Sequence, residues 1–267
     1  MGAIDRLEGV VVGQQPHLAV LALEGLDRGL VVEQRCDDVA VDGIWLPADQ
    51  VKAMQAAFVQ ATGGHIDGEF SAVGAMRDKL LQGADCDLVI LTAPLINALI
   101  TSGHVVAGSA RSLGLVKTGI AQRTGEPAAV IRDRAGLAAA LRGASSIYFP
   151  DAQKSTAGRH FMGVLRALGL DESLRPVFRQ FPNGETAMQA LASSPEPGGI
   201  GCTQVTEING TPGVGLTALL PSEFELATDY TLGICSAARF PDQARVLADL
   251  LCGPASAEFR RQGGFIF

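Results

Sequence analysis

The residues best suited to chemistry gather in one stretch, PDAQKSTAGRHF, at positions 150–161. Lys154 and Arg159 put two cations at one loop. A guanidinium can clamp a carboxylate with two parallel hydrogen bonds, so the pair suits an acidic ligand. Ser155 or Thr156 suits the cap of a helix that begins there, and a helix start exposes unpaired N–H groups with partial positive charge. His160 adds an imidazole, which can donate or accept a proton. Each residue also has a plain use: a cap for Ser155 or Thr156, a solvated helix position for Arg159, a core edge beside Phe161 for His160.

These residues need a scaffold to aim them. "SSIYFP" reads as a strand and "AGRHFMGVLRALGL" as a helix, so the loop sits where a strand hands over to a helix. Other strand ends carry similar groups. "HIDGEF" opens into Ser71-Ala72-Val73-Gly74, a second helix start built from small residues. "CDLVIL" ends at Thr92, and "GIGC" runs into Thr203-Gln204-Val205-Thr206-Glu207. Parallel strands would bring all these loops to one face. The candidate ligand-binding set is therefore Ser71, Val73, Gly74, Thr92, Lys154, Ser155, Thr156, Arg159, Gln204 and Thr206. His160 and Glu207 are the candidate catalytic proton carriers if the site is an enzyme's; Glu207 serves equally well as a surface acid.

The remaining pattern fills in a sheet covered by helices. "HLAVLALEGL", "GLVVEQ" and "DDVAVDGIWL" read as strands. "PADQVKAMQAAFVQATG" places Val51, Met54, Phe58 and Val59 on one helical face. "AVGAMRDKLLQG", "PLINALITSG", "RDRAGLAAALRG" and "NGETAMQALASS" read as helices, "RPVFRQF" and "VGLTALLP" as strands, and "VTEIN" as a turn. The end reads as two helices broken at Gly253-Pro254. Alternating strands and helices predict α/β architecture with largely parallel sheets. Extended segments near 116–122 and 227–236 would cross between two lobes. The expected division is an extension at 1–38 that the pattern does not define, a discontinuous first lobe at 39–117 and 228–267, and a second lobe at 118–227, with a ligand cleft between lobes.

Composition narrows the function. Hydrophobic residues at 47% and charged residues at 18% supply a sizeable core. The formal net charge is −7 and no basic run occurs, which excludes the electrostatic footprint of a nucleic-acid binder. The partner is expected to be a small anion. No apolar run reaches the ~20 residues of a membrane span. The four histidines form no ligand-spaced cluster, so no metal and no cofactor is expected. Five cysteines without a CxxC read as reduced core thiols. The start lacks the charged-then-apolar pattern of a leader, which leads to a cytoplasmic expectation, or a periplasmic one if a leader has been removed. Extra strands in residues 1–37 leave a homo-oligomer open.

Four segments, taken in order, carry a resemblance. They are "VKAMQAAFVQATGGHIDGEFSAVGAMRDKLLQGADCDLVILTA", "PDAQKSTAGRHFMGVLRALGL", "GIGCTQVTEI" and "FPDQARVLADLLCGPASAEFRRQGGF". Over about residues 39–267 the chain resembles the type 2 periplasmic-binding-protein fold, in its molybdate-binding-protein-like branch. The resemblance implies two α/β lobes closing on an oxyanion held by hydroxyls and backbone N–H groups. Departures from it are informative. Ala72-Val73-Gly74 and Trp45-Leu46-Pro47 stand where the branch offers serines, and Gln204 where it carries a tyrosine. Lys154, Arg159 and His160 stand where it is mostly neutral. These changes point from a metal oxyanion towards an organic carboxylate. The branch also resembles enzymes of the aconitate-isomerase kind, which shift a proton and a double bond in a tricarboxylate. Two readings follow: a receptor for a small carboxylate, or a cofactor-independent isomerase acting on an unsaturated di- or tricarboxylate. An interaction domain without a ligand is a residual third.

Overall fold

The computed structural model describes residues 17–22, 48–70 and 73–267. The strands read in "GLVVEQ" and "DDVAVDGIWL", the Trp45-Leu46-Pro47 loop and Ser71 lie outside them.

The first lobe begins with β1 (His17–Ala22), α1 (Ala48–Thr62), β2 (His65–Phe70), α2 (Val73–Leu81), β3 (Leu88–Thr92) and α3 (Ala93–Thr101). β4 (Arg111–Arg123) leads into the second lobe. There follow α4 (Arg134–Gly143), β5 (Ile147–Pro150), α5 (Thr156–Ala167), β6 (Phe178–Phe181), α6 (Gly184–Ala192), β7 (Ile200–Gln204), α7 (Val205–Gly210) and β8 (Val214–Leu219). β9 (Ala227–Ile234) returns to the first lobe, which α8 (Pro241–Cys252), α9 (Pro254–Gly263) and β10 (Phe265–Ile266) complete.

The strands run in the order β2-β1-β3-β9-β4-β7-β5-β6, with β8 and β10 also paired to β4. β1 is parallel to both β2 and β3, and β5 to both β6 and β7. Where the chain crosses between lobes the pairing turns antiparallel: β3 with β9, β9 with β4, and β4 with β7 and β8. Each lobe thus has a parallel half carrying the strand–helix loops and an antiparallel half made by the crossings. β4 spans both lobes, pairing with β9 from Arg111 to Lys117 and with β7 from Thr118 to Ala121.

Burial follows the sequence pattern. All five residues of β3 are buried, as an apolar run covered on both faces requires. In α1, Met54 and Phe58 face the core. In α5, Ala157, Phe161, Val164 and Leu165 form the inward stripe of an amphipathic helix. Phe161 meets Phe149 edge-on at 5.4 Å, and burying such a ring stabilises by about 1.5–3 kcal/mol. One core draws on residues 54–116 and 230–265, joined by Val205; the other clusters lie within 120–224. Pro254 separates the last two helices, since it has no N–H to donate and displaces its predecessor from helical geometry.

Two local expectations change. The segment "VTEIN" forms a short helix, α7, rather than a turn. β1, inside the stretch read as an undefined extension, lies between β2 and β3 in the first lobe's sheet. Among the described cysteines, Cys86, Cys202 and Cys235 are buried and Cys252 half-buried, all as free thiols, with Cys86 and Cys235 sulfurs 3.3 Å apart.

Candidate functional site

A cleft of about 660 Å³ lies between the two parallel halves, within the range of small-molecule sites. Its second-lobe wall is the PDAQKSTAGRHF loop. β5 ends at Pro150, and Asp151 then folds the chain back on itself. The Asp151 carboxylate accepts from the N–H groups of Gln153 at 2.7 Å and Lys154 at 2.9 Å. Its backbone N–H donates to Phe181 at 2.7 Å, and its carbonyl accepts from Ser155 at 3.1 Å. These two N–H bonds, with the nearby Lys154 charge, hold the Asp151 carboxyl below its ordinary pKa. The loop that presents Lys154 is therefore pinned at both ends.

Ser155 caps α5, its hydroxyl accepting from the Gly158 N–H at 3.3 Å. A Cβ on Gly158 would lie 2.3 Å from the Pro150 carbonyl oxygen and 2.4 Å from that of Asp151. Only glycine lets the first turn of α5 press this closely on the strand end. The result aims Lys154, Thr156 and Arg159 into the cleft. Among the described residues neither Lys154 nor Arg159 forms an ion pair.

The first-lobe wall comes from the start of α2, with Val73 and Gly74, and from Thr92 at the end of β3. Thr92 is buried, and its hydroxyl makes no capping bond to α3. Leu95 gives this wall an apolar surface. Arg77 and Asp78 also line it, but pair with each other at 2.6 Å. The start of β9 forms the base, with Thr228 and Asp229. Among the described residues Lys154 and Arg159 are thus the unpaired cations that line the cleft, and Asp229 is an acid in the same lining.

Of the candidates read from sequence, Val73, Gly74, Thr92, Lys154, Thr156 and Arg159 line this cleft together. Ser155 is buried as a cap. Gln204 is buried beneath the base. Turned to satisfy both its ends, its amide N–H group donates to the carbonyls of Val116 and Lys117, each at 3.3 Å, and its oxygen accepts from the Thr228 hydroxyl at 3.1 Å. Gln204 thereby positions Thr228 without lining the cleft itself. Thr206, on α7, is not in the lining.

The two candidate proton carriers are also placed elsewhere. The His160 Nε2–H donates to the Phe224 carbonyl at 2.7 Å, tying α5 to the turn before β9. The acceptor is a carbonyl, so Nε2 carries the proton. Glu207 is buried and folds back to cap α7, accepting from the Gln204 N–H at 3.3 Å and from the Thr203 hydroxyl. A Cβ on Gly184 would lie 2.1 Å from this carboxylate, so the start of α6 closes over it. Neither residue lines the cleft. Sequence reasoning missed Thr228 and Asp229, whose strand read only as an extended crossing. The signal was their position in the extended segment expected to cross back between the lobes.

The sequence profile describing bacterial extracellular solute-binding proteins matches residues 47–266. The chain belongs to this family. Among curated proteins, an aconitate isomerase from Pseudomonas sp. is 23% identical over 222 residues, covering 80% of this chain and 82% of that protein. Among solved structures, the periplasmic molybdate-binding protein of Azotobacter vinelandii superposes with a TM-score of 0.71 at 14% identity, covering 94% of this chain and 99% of that one. The sulfate-binding protein of Mycobacterium tuberculosis H37Rv gives 0.64 at 13% identity, covering 93% and 86%. The solute-binding family thus has here the two-lobed periplasmic-binding fold, with the ligand cleft between lobes. Among the described residues no helix is long and apolar enough to cross a membrane, and no three His, Cys, Asp or Glu side chains gather as metal ligands.

Proposed function

We propose that the cleft binds a small organic carboxylate. The observation that carries this reading is the pairing of unneutralised Lys154 and Arg159 at the start of α5 with the start of α2 across the gap. Helix starts offer N–H groups to an anion, and Arg159 offers a planar fork that matches a carboxylate. Apolar Leu95 and Leu226 suit the carbon frame of an organic acid better than the shell of an inorganic oxyanion. The relatives named for molybdate and sulfate support the broader idea of an oxyanion receptor.

Thermal unfolding tests the choice. Citrate, malate, cis-aconitate, trans-aconitate, molybdate and sulfate are each added to the purified protein. A carboxylate at 100 times its Kd should stabilise by about 2.7 kcal/mol, a shift of several degrees. Stabilisation by molybdate or sulfate alone would overturn the carboxylate assignment.

The likeness to an aconitate isomerase supports a second reading, a proton-shifting isomerase. With His160 and Glu207 engaged outside the cleft lining, proton transfer would fall to Asp229, the lining carboxylate not paired with an arginine. Incubation with cis- and trans-aconitate in deuterated water separates the two. Solvent deuterium in recovered acid supports the enzyme; binding without exchange removes it for those acids.

A further inference from the structure

We infer that Asp229 is a specificity residue, and that the ligand carries a hydroxyl or ammonium group in addition to its carboxylate. This inference rests on the carboxylate-binding reading above and narrows it.

Asp229 is half-buried at the base of the cleft. One of its oxygens is fully engaged. Oδ1 accepts from the Ser112 hydroxyl at 2.6 Å and from the Thr231 hydroxyl at 3.2 Å. Among the described residues no donor reaches Oδ2, and no cation pairs with the group. A carboxylate fixed by one oxygen, on a residue that lines a ligand-sized cleft, keeps acceptor capacity on the other for a donor.

The backbone is shaped to hold it so. The β4–β9 ladder slips between Ser112 and Gly114, a bulge that re-aims the Ser112 side chain. Gly114 takes φ +124°, a left-handed conformation that glycine adopts without strain. Its N–H donates to the Ser112 hydroxyl oxygen at 3.1 Å, leaving that hydroxyl's proton for Asp229. The neighbouring Thr228 repeats the arrangement. Its hydroxyl proton goes to Gln204, so it too presents lone pairs.

The base of the cleft therefore accepts hydrogen bonds, while the start of α5 donates them. A plain carboxylate satisfies only one side and sets its own charge near Asp229. A hydroxy or amino acid satisfies both. A site built to bond a donor rejects the analogue that lacks one, because its buried polar groups are left unpaired.

Calorimetric titration with matched acids tests this. Citrate is compared with propane-1,2,3-tricarboxylate, and malate and aspartate with succinate, so that each comparison turns on one hydroxyl or ammonium. The wild-type protein should prefer the donor-bearing acid by about tenfold or more, within the usual reach of one buried hydrogen bond. Asp229→Ala should bring the ratio towards one. Asp229→Asn keeps the shape and serves where the alanine variant does not fold; it should lose the ammonium preference. Equal affinity for matched acids, or a ratio unmoved by both variants, overturns the inference. Failure of every acid to bind overturns the carboxylate reading itself.

Discussion

Gly74 of the first lobe faces the backbone carbonyl of Lys154 in the second, so closely that a Cβ on Gly74 would touch that oxygen at 3.7 Å. The two walls of the cleft meet here with room for a methyl group and little more. Gly74→Ala should be tolerated and should stabilise α2 by about 0.5–1 kcal/mol, since glycine is a poor helix residue. Gly74→Leu should instead hold the walls apart and weaken ligand binding at least tenfold at unchanged stability. Chemical denaturation and calorimetry on the two variants read both effects.

Arg159→Ala should weaken carboxylate binding by about 1.5–3 kcal/mol, the range of a charge-assisted hydrogen bond. Arg159→Lys should recover only part of the loss, because an ammonium cannot form the bidentate fork. Unchanged affinity in both variants would make Arg159 a solvated helix residue.

Gly158→Ala tests the local architecture rather than the ligand. The new methyl would collide with two backbone carbonyls that cannot swing aside. Such overpacking costs about 1–3 kcal/mol or more, and here it also displaces the loop carrying Lys154. Urea unfolding should show the loss, and ligand affinity should fall with it.

Glu207→Ala should remove the cap of α7 and strand the Thr203 hydroxyl, destabilising by about 1–3 kcal/mol. Ligand affinity in the folded fraction should not change. A variant that is as stable as the wild type but cannot bind would restore Glu207 to the site.

The lowered pKa of Asp151 sets a pH dependence. Its folded value lies below the ordinary 3.8, so the unfolded chain takes up its proton first as pH falls. The associated stability is present above about 3.8 and is lost as pH drops through the folded value. Asp151→Asn should flatten stability against pH in that acid window, as followed by urea midpoints from pH 5 downwards.

The wall carrying Lys154 and Arg159 was legible in the sequence because strand, loop and helix follow one another there with ordinary patterning. Local rules therefore located the loop and a cap at Ser155 or Thr156, which the structure gives to Ser155. Thr228 and Asp229 were not legible, since their strand alternates weakly and their importance comes from where a distant crossing places them. Glu207 and His160 show the limit of residue type. Their types suit proton transfer, but hydrogen bonds to Thr203 and to the Phe224 carbonyl, made by packing, engage them outside the cleft lining.

The two crossings lie side by side, joined by the Lys117–Glu225 ion pair at 2.5 Å and by the Thr118 N–H bond to Leu226. A swing of one lobe against the other would bend these crossings, as at the pin of a pair of tongs. Points near a pin travel little and points at the tips travel far. Asp229 and Thr228 sit beside the pin, while Gly74 and Lys154 sit on opposing jaws. A solute would thus meet nearly the same seat whether the jaws are apart or together, and would feel the cations of α5 only as they arrive. Recognition would come first and grip second.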